Sequence, residues 1–217
     1  MKDNQAKYPQ LRFKGFTDPW EKRKAKHLFV PVIEKGRPEL PVLSVTQDRG
    51  LVYRDQVGID IKFNRSTLSS YKVVHVNDFV ISLRSFQGGF ELSDKLGITS
   101  PAYTIFVPKE VDSQDNQYWA KQFKTFRFIE SLKTVTFGIR DGKSISFKEF
   151  GDLKFLYPCS KNEQHQIGKL FETLDNLIAV NQRKLAKLKE LKQGYLQKLF
   201  PENGSKFPQL RFSGFAD

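Results

Sequence analysis

The chain has 217 residues, enough for one sizeable domain plus an extended element, with 39 % hydrophobic residues and 20 Phe that favour aromatic packing in a β-rich core. The formal charge of +12 favours a polyanionic partner, nucleic acid first and an acidic membrane surface second. One cysteine, Cys159, excludes an intrachain disulfide, and no run approaches the ~20 apolar residues of a membrane span.

The N-terminus, Met1-Lys-Asp-Asn-Gln-Ala-Lys7, lacks the apolar run of a signal peptide, so the sequence reads as cytoplasmic. Tyr8-Pro-Gln-Leu-Arg-Phe-Lys-Gly-Phe-Thr-Asp18 returns as Phe207-Pro-Gln-Leu-Arg-Phe-Ser-Gly-Phe-Ala-Asp217, with 8 of 11 positions identical at an offset of 199. That pattern reads as one unit of about 200 residues followed by the opening of a second. The expectation is a truncated, split or half-length version of a two-unit protein. Residues 1–27 form the first repeat segment and 201–217 the start of the next.

Residues 28–158 have β character. Pro41–Thr46, Tyr71–Val76, Phe79–Leu83, Tyr103–Val107 and Leu153–Tyr157 are rich in β-branched and aromatic residues and are bounded by Gly, Asp, Asn and Pro. One helix is expected over about 116–132, with Trp119, Phe123 and Phe126 on one face and Ser113 or Asp115 as cap. The fold class is α+β, with sparse and irregular strands.

From Glu163 to Phe200 there is no Pro, and Gly occurs only at 168 and 194. Ile167, Phe171, Leu174, Ile178, Asn181, Leu185, Leu188, Lys192, Tyr195 and Leu199 follow a 4-3 spacing, a heptad seam. Leu170, Leu177, Leu191 and Leu196 widen the apolar stripe. Such a helix is a rod of about 57 Å, ended by Pro201 and Gly204, and its stripe needs a second long helix for cover. A single helix lying on its own domain is the other reading. Charge divides along the chain: residues 163–180 are net −2 and residues 181–200 net +5.

A search for chemistry yields little. Gly138-Ile-Arg-Asp-Gly142-Lys-Ser144 has three residues between its glycines where a phosphate loop needs four. The following Ile145–Phe150 shows no clear helix to offer its N-terminus to a phosphate. A turn at Asp141-Gly142 is the simpler reading. Asp60-Ile-Lys62 and Asp152-Leu-Lys154 mimic half of a metal-dependent nuclease site, but no paired carboxylate precedes either. His27, His75 and His165 are scattered without zinc spacing. A Cys159–His165 nucleophile pair is conceivable, with a structural cysteine the plainer reading. No metal site is expected.

Several segments together resemble the specificity subunit of type I restriction-modification enzymes. They are the repeated Pro-x-Leu-Arg-Phe-x-Gly-Phe-x-Asp followed by Pro19-Trp20-Glu21, and Leu43–Gly50. Asp78–Gly89 with Gly97–Tyr103 and Glu163–Gly168 leading into 174–185 and 189–200 complete the set. The resemblance implies a β-rich target-recognition domain over 28–158, followed by one long coiled-coil spacer helix in 159–200 for dimerisation and assembly. It implies sequence-specific binding of double-stranded DNA at a two-part site, with no catalysis in this chain. Modification (methyltransferase) subunits would bring S-adenosylmethionine, and a restriction (motor-nuclease) subunit ATP and Mg²⁺. Family members carry two recognition domains and two spacer helices; this chain has one of each, so the resemblance leaves three readings: a chain that works alone, a homodimer if it is half-length, or a truncated product.

The DNA-contact candidates are Arg84, Ser85, Gln87 and the Gly88–Gly89 pair, a polar break after a strand where backbone could approach phosphate and side chains could reach base edges. The glycines read equally as a turn holding the fold. Arg49, Lys62, Arg65 and Arg140 are further candidates. Arg183, Lys184, Lys187 and Lys189 could face phosphates or a modification subunit, or simply solvent. The alternative to the DNA reader is a regulatory or inhibitory coiled-coil protein that occupies the enzyme's partners.

Overall fold

The computed structural model describes residues 8–46, 49–57, 65–82, 89–135, 145–201 and 204–215. The chain divides into two compact units, Met1–Lys169 and Leu170–Asp217.

Among the described residues, ten short strands and four short helices build the first unit. In chain order they are β1 (Glu21–Lys24), α1 (Ala25–Leu28), β2 (Phe29–Val32), β3 (Leu43–Thr46), β4 (Gly50–Tyr53), β5 (Lys72–Val74), β6 (Phe79–Ile81), β7 (Phe90–Leu92), β8 (Gly97–Thr99), β9 (Thr104–Pro108), α2 (Asn116–Gln122), α3 (Phe126–Val135), α4 (Phe147–Asp152) and β10 (Lys154–Tyr157). The main sheet is antiparallel in the order β2-β9-β6-β7. Pro31 is tolerated because β2 is its edge strand. Three two-stranded pairs, β1–β10, β3–β4 and β5–β8, surround it. The first strand thus closes against the last, with Glu21 opposite Tyr157.

The phenylalanines explain why such short strands hold. Phe29 lies at the centre of an aromatic core, its ring 5.4, 5.1, 5.8 and 5.8 Å from those of Phe106, Trp119, Phe123 and Phe150. Edge-on and tilted ring pairs each add about 0.5–1.5 kcal/mol beyond the area they bury. Trp119 is fully buried and donates its indole N–H to Gln114 Oε1 at 2.7 Å, so the core's largest side chain leaves no polar atom unpaired.

Two sequence expectations need correction here. The helix over 116–132 is two helices, broken at 123–125. Asp115 caps the first, accepting from the Tyr118 N–H at 2.8 Å, and the Thr125 hydroxyl accepts from Phe128 N–H at 3.2 Å and restarts the second. The restart shifts the helical phase: Trp119 and Phe123 are buried, whereas Phe126 is 78 % exposed. Ile145–Phe150, read as showing no clear helix, runs into α4, which is opened by a capping box in which Ser146 accepts from Glu149 N–H and the Glu149 carboxylate accepts from Ser146 N–H.

The long helix, α5, runs from Lys161 to Leu199, 39 residues. Its first turns pack within the first unit. Ile167 rests against the aromatic core, and Gly168 approaches the start of α2 so closely that an added Cβ would stand 2.9 Å from Tyr118 N. Gly168→Ala should therefore destabilise the chain by about 1–3 kcal/mol, although alanine is worth ~1 kcal/mol more than glycine inside a helix. Gly194→Ala, with nothing within 4 Å of its added Cβ, should raise stability. Thermal melts of the two variants read this opposition directly.

Candidate nucleic-acid interface and assembly helix

The one fully described DNA-contact candidate besides Gly89 is Arg49. It sits exposed at the β3–β4 turn, where its backbone N–H donates to Thr46 Oγ1 at 3.1 Å and the same hydroxyl donates to Gly50 O at 3.0 Å. These bonds pin the Arg49 backbone beside Thr46 and Gly50 and leave the residue exposed. Gly89 is buried, and its carbonyl accepts from Ser82 N–H at 2.9 Å, closing the β6–β7 hairpin end. That geometry favours the fold-holding reading for Gly89. An added Cβ on Gly50 would lie 3.5 Å from Glu91 Oε2, so the Arg49 turn stands beside the hairpin closed by Ser82 and Gly89. Arg65 begins a 3-10 turn over Arg65–Ser70; its side chain, with Lys62, Arg84, Ser85, Gln87, Gly88, Arg140 and the Asp141-Gly142 turn, lies outside the described residues.

Beside the two hairpin ends lies a part-buried ion pair, its carboxylate buried and its lysine exposed. Glu91 is 8 % exposed and accepts from Lys124 Nζ. Desolvation pushes its carboxyl above the usual range, and the lysine opposes that shift. Sequence reasoning missed this pair, because Glu91 on β7 and Lys124 after α2 carry no shared local pattern.

Of the nuclease-like and nucleophile-like residues, Asp152, Cys159 and His165 have structural partners, and Asp60 lies outside the described residues. Asp152 Oδ1 accepts from Lys24 and Lys26 at 3.1 and 3.3 Å, and these bonds hold its carboxyl below the ordinary range. Cys159 carries an exposed surface, yet burial of the thiol and its hydrogen bond to Glu21 push it up to about 11. His165 Nδ1 lies 3.0 Å from Asp115 Oδ2. A thiol so poorly ionised is a weak nucleophile, which favours the structural reading of Cys159. Among the described residues, no three His, Cys, Asp or Glu side chains gather in a metal-binding group, and no helix is long and apolar enough to cross a membrane.

The start of α5 is held by a dense set of hydrogen bonds. Arg12 grips Glu163 with two prongs, Nε to Oε1 at 2.7 Å and Nη2 to Oε2 at 2.8 Å, and the Trp20 indole N–H adds a bond to Oε1 at 3.2 Å. Glu163 is 1 % exposed, and its carboxylate holds the Arg12 guanidinium above its ordinary range. Gln164 is fully buried; its Oε1 accepts from Asp115 N–H at 2.8 Å and its Nε2 donates to Pro158 O at 2.9 Å. The Glu163–Gly168 motif is therefore a docking motif. It ties the helix start to the repeat segment, to α2 and to the core. The signals were in the sequence, as a repeated Arg and a Glu-Gln pair, but their partnership spans 151 positions.

Farther along α5 the seam is open. Leu174 and Ile178 are 43 % and 55 % exposed, and Phe171, Leu185, Leu188 and Tyr195 fall between them. Asn181 Nδ2 donates to Leu177 O at 2.8 Å, one turn back. Leu188, Leu191, Lys192, Tyr195, Leu196 and Leu199 line a shallow apolar groove with Phe200.

A β-rich domain thus feeds directly into a long helix whose heptad seam is exposed in the single chain. The type I restriction modification DNA specificity domain model matches residues 34–190, and the chain belongs to that family. No curated protein sequence matches it. Among solved structures, it is similar to a chain described under complex assembly and conformational transition of the type I R-M system, with 15 % identity, a TM-score of 0.54, and 88 % of this chain and 48 % of that one covered. It is also similar to the HsdS subunit from Thermoanaerobacter tengcongensis, with 15 % identity, a TM-score of 0.50, and 89 % and 47 % coverage. The chain thus spans about half the length of the solved chains it matches.

Proposed function

We propose that this chain is a DNA-recognition subunit of a type I restriction-modification assembly in the cytoplasm, and that it performs no chemistry itself. The observation that carries the reading is the family match, which runs continuously from the β-rich domain into the long helix. The domain reads one part of a divided duplex site through the Arg49 turn and the neighbouring β6–β7 hairpin end, with Lys62, Arg65, Arg84, Ser85, Gln87, Gly88 and Arg140 as further contacts. The α5 seam pairs with a second long helix. Two copies of this chain supply that pair, running antiparallel. The charge pattern supports that direction: the distal half of α5, net +5 over 181–200, then lies along the proximal half of its partner, net −2 over 163–180.

Methyl transfer and cleavage belong to partners. Modification subunits bring S-adenosylmethionine, and a restriction subunit brings ATP and Mg²⁺; Arg183, Lys184, Lys187 and Lys189 on α5 offer a basic face to them or to phosphate.

A gel-shift titration of duplex DNA against salt, with and without a modification subunit, tests the reading. Retarded duplex that is lost as salt rises is expected, with tighter and sequence-dependent retention once the modification subunit is added. Capture of the modification subunit with no DNA retention in either arm would favour the regulatory coiled-coil reading instead.

A further inference from the structure

The repeated segment occurs twice, and its two copies are used differently. In the first, Arg12, Phe13 and Phe16 are half-buried, and Arg12 clamps Glu163. In the second, the corresponding Arg211, Phe212 and Phe215 are exposed, both phenylalanines at 71 %. The Arg211 guanidinium lies on its own segment, 4.8 Å from the Phe207 ring centre and 3.4 Å from Phe215 O. The two copies nevertheless share one local backbone. Gly15 and Gly214, 199 positions apart, both adopt the left-handed region that glycine alone enters cheaply, with φ of +102° and +97°. The second copy thus makes the same glycine turn as the copy that grips a carboxylate.

Its anchor differs too. Leu210 N–H donates to Lys198 O at 2.9 Å, holding the second copy at the far end of α5, whereas the first copy sits at the start of α5. Antiparallel pairing brings these two ends together. Setting Phe171 opposite Tyr195, Leu174 opposite Lys192 and Ile178 opposite Leu188 keeps the whole seam in register. It also places Lys198 of one helix level with Gly168 of the other, about 7–8 Å along the axis from Glu163.

We infer that residues 207–215 of one copy are an exchangeable strap for the Glu163 clamp of a second copy, with Arg211 replacing that copy's Arg12. The inference rests on the antiparallel pairing proposed above. Each carboxylate then has two equivalent ligands, one from its own chain and one from its partner. Either arginine satisfies it, and losing both leaves a buried charge unpaired.

The test compares the full chain with Arg12→Ala, Arg211→Ala and the double variant, by sedimentation and thermal melting. The expected result is a dimer throughout, with each single change lowering Tm by less than about 3 °C and the double change by at least about 6 °C. Additive losses, with Arg12→Ala costing the same whether or not Arg211 is present, overturn the exchange and leave the pairing intact. An unmutated chain that sediments as a monomer at micromolar concentration overturns the pairing, and the exchange with it. Because Arg12→Ala is at risk of misfolding, a second measurement uses Phe212→benzoylphenylalanine in mixed heavy- and light-isotope chains. Photoadducts joining heavy to light chains at residues 8–24 or 160–168 support the exchange; adducts confined to residues 188–206 of the same chain overturn it.

Discussion

Ile178→Asp together with Leu185→Asp should convert a dimer into monomers at micromolar concentration and abolish high-affinity DNA retention. Both side chains are more than half exposed in the single chain, so the substitutions do little to the isolated fold. In a two-fold pair each change appears twice, and every new carboxylate must be neutralised or stripped of water at an apolar seam. Burying an unpaired charge there costs several kcal/mol. A total penalty of about 6 kcal/mol weakens association by more than 10⁴-fold. Asn181→Leu should act oppositely: the amide is satisfied by its own helix, so a leucine adds apolar burial and loosens the control of register. Sedimentation velocity separates these outcomes. If the doubly charged variant remains a dimer, the seam is not the contact.

How much of this was legible in the sequence depends on how local the cause was. The long helix was readable almost to its ends because a 4-3 spacing over ten positions has no competing explanation. The strands at Leu43–Thr46, Phe79–Ile81, Thr104–Pro108 and Lys154–Tyr157 were readable from β-branched and aromatic runs. Phe126 misled because the helical period carries through Thr125, whereas the Thr125 hydroxyl caps a new helix and resets the phase. The α4 helix had its Ser-x-x-Glu signature in plain view at Ser146–Glu149, but six residues are too few for periodicity to register. The clamp of Arg12 and Trp20 on Glu163 is a tertiary fact. Sequence marked both partners as motifs, and only folding shows that they are one device.

That device governs the last expected result. Because Glu163, Gln164, Ile167 and Gly168 bind the helix start to the recognition domain, the domain must follow any displacement of that start. Under the proposed function, two copies carry two identical readers, and a closed pair is two-fold symmetric with antiparallel helices. The DNA target should then be an interrupted palindrome: one half-sequence, inverted on the two sides of an unread gap. A rod of about 57 Å comfortably spans the 34–36 Å of one DNA turn, so both readers can address the same face of the duplex. Deleting one heptad from both helices, between Phe171 and Tyr195, keeps the seam in phase to about 20° but draws the readers together by about 10 Å. At 3.4 Å per base pair the preferred gap should shrink by about three pairs, while the half-sites stay the same. Three pairs also rotate the duplex by about 100°, far more than the helices turn, so affinity should fall as DNA twists to compensate. Exchanging residues 28–158 for another recognition domain should do the reverse, changing the half-sites and keeping the gap. Methylome sequencing of cells that express each version with a matched modification subunit reads both quantities at once. An asymmetric motif, in cells holding no other specificity subunit, would rule out the symmetric pair.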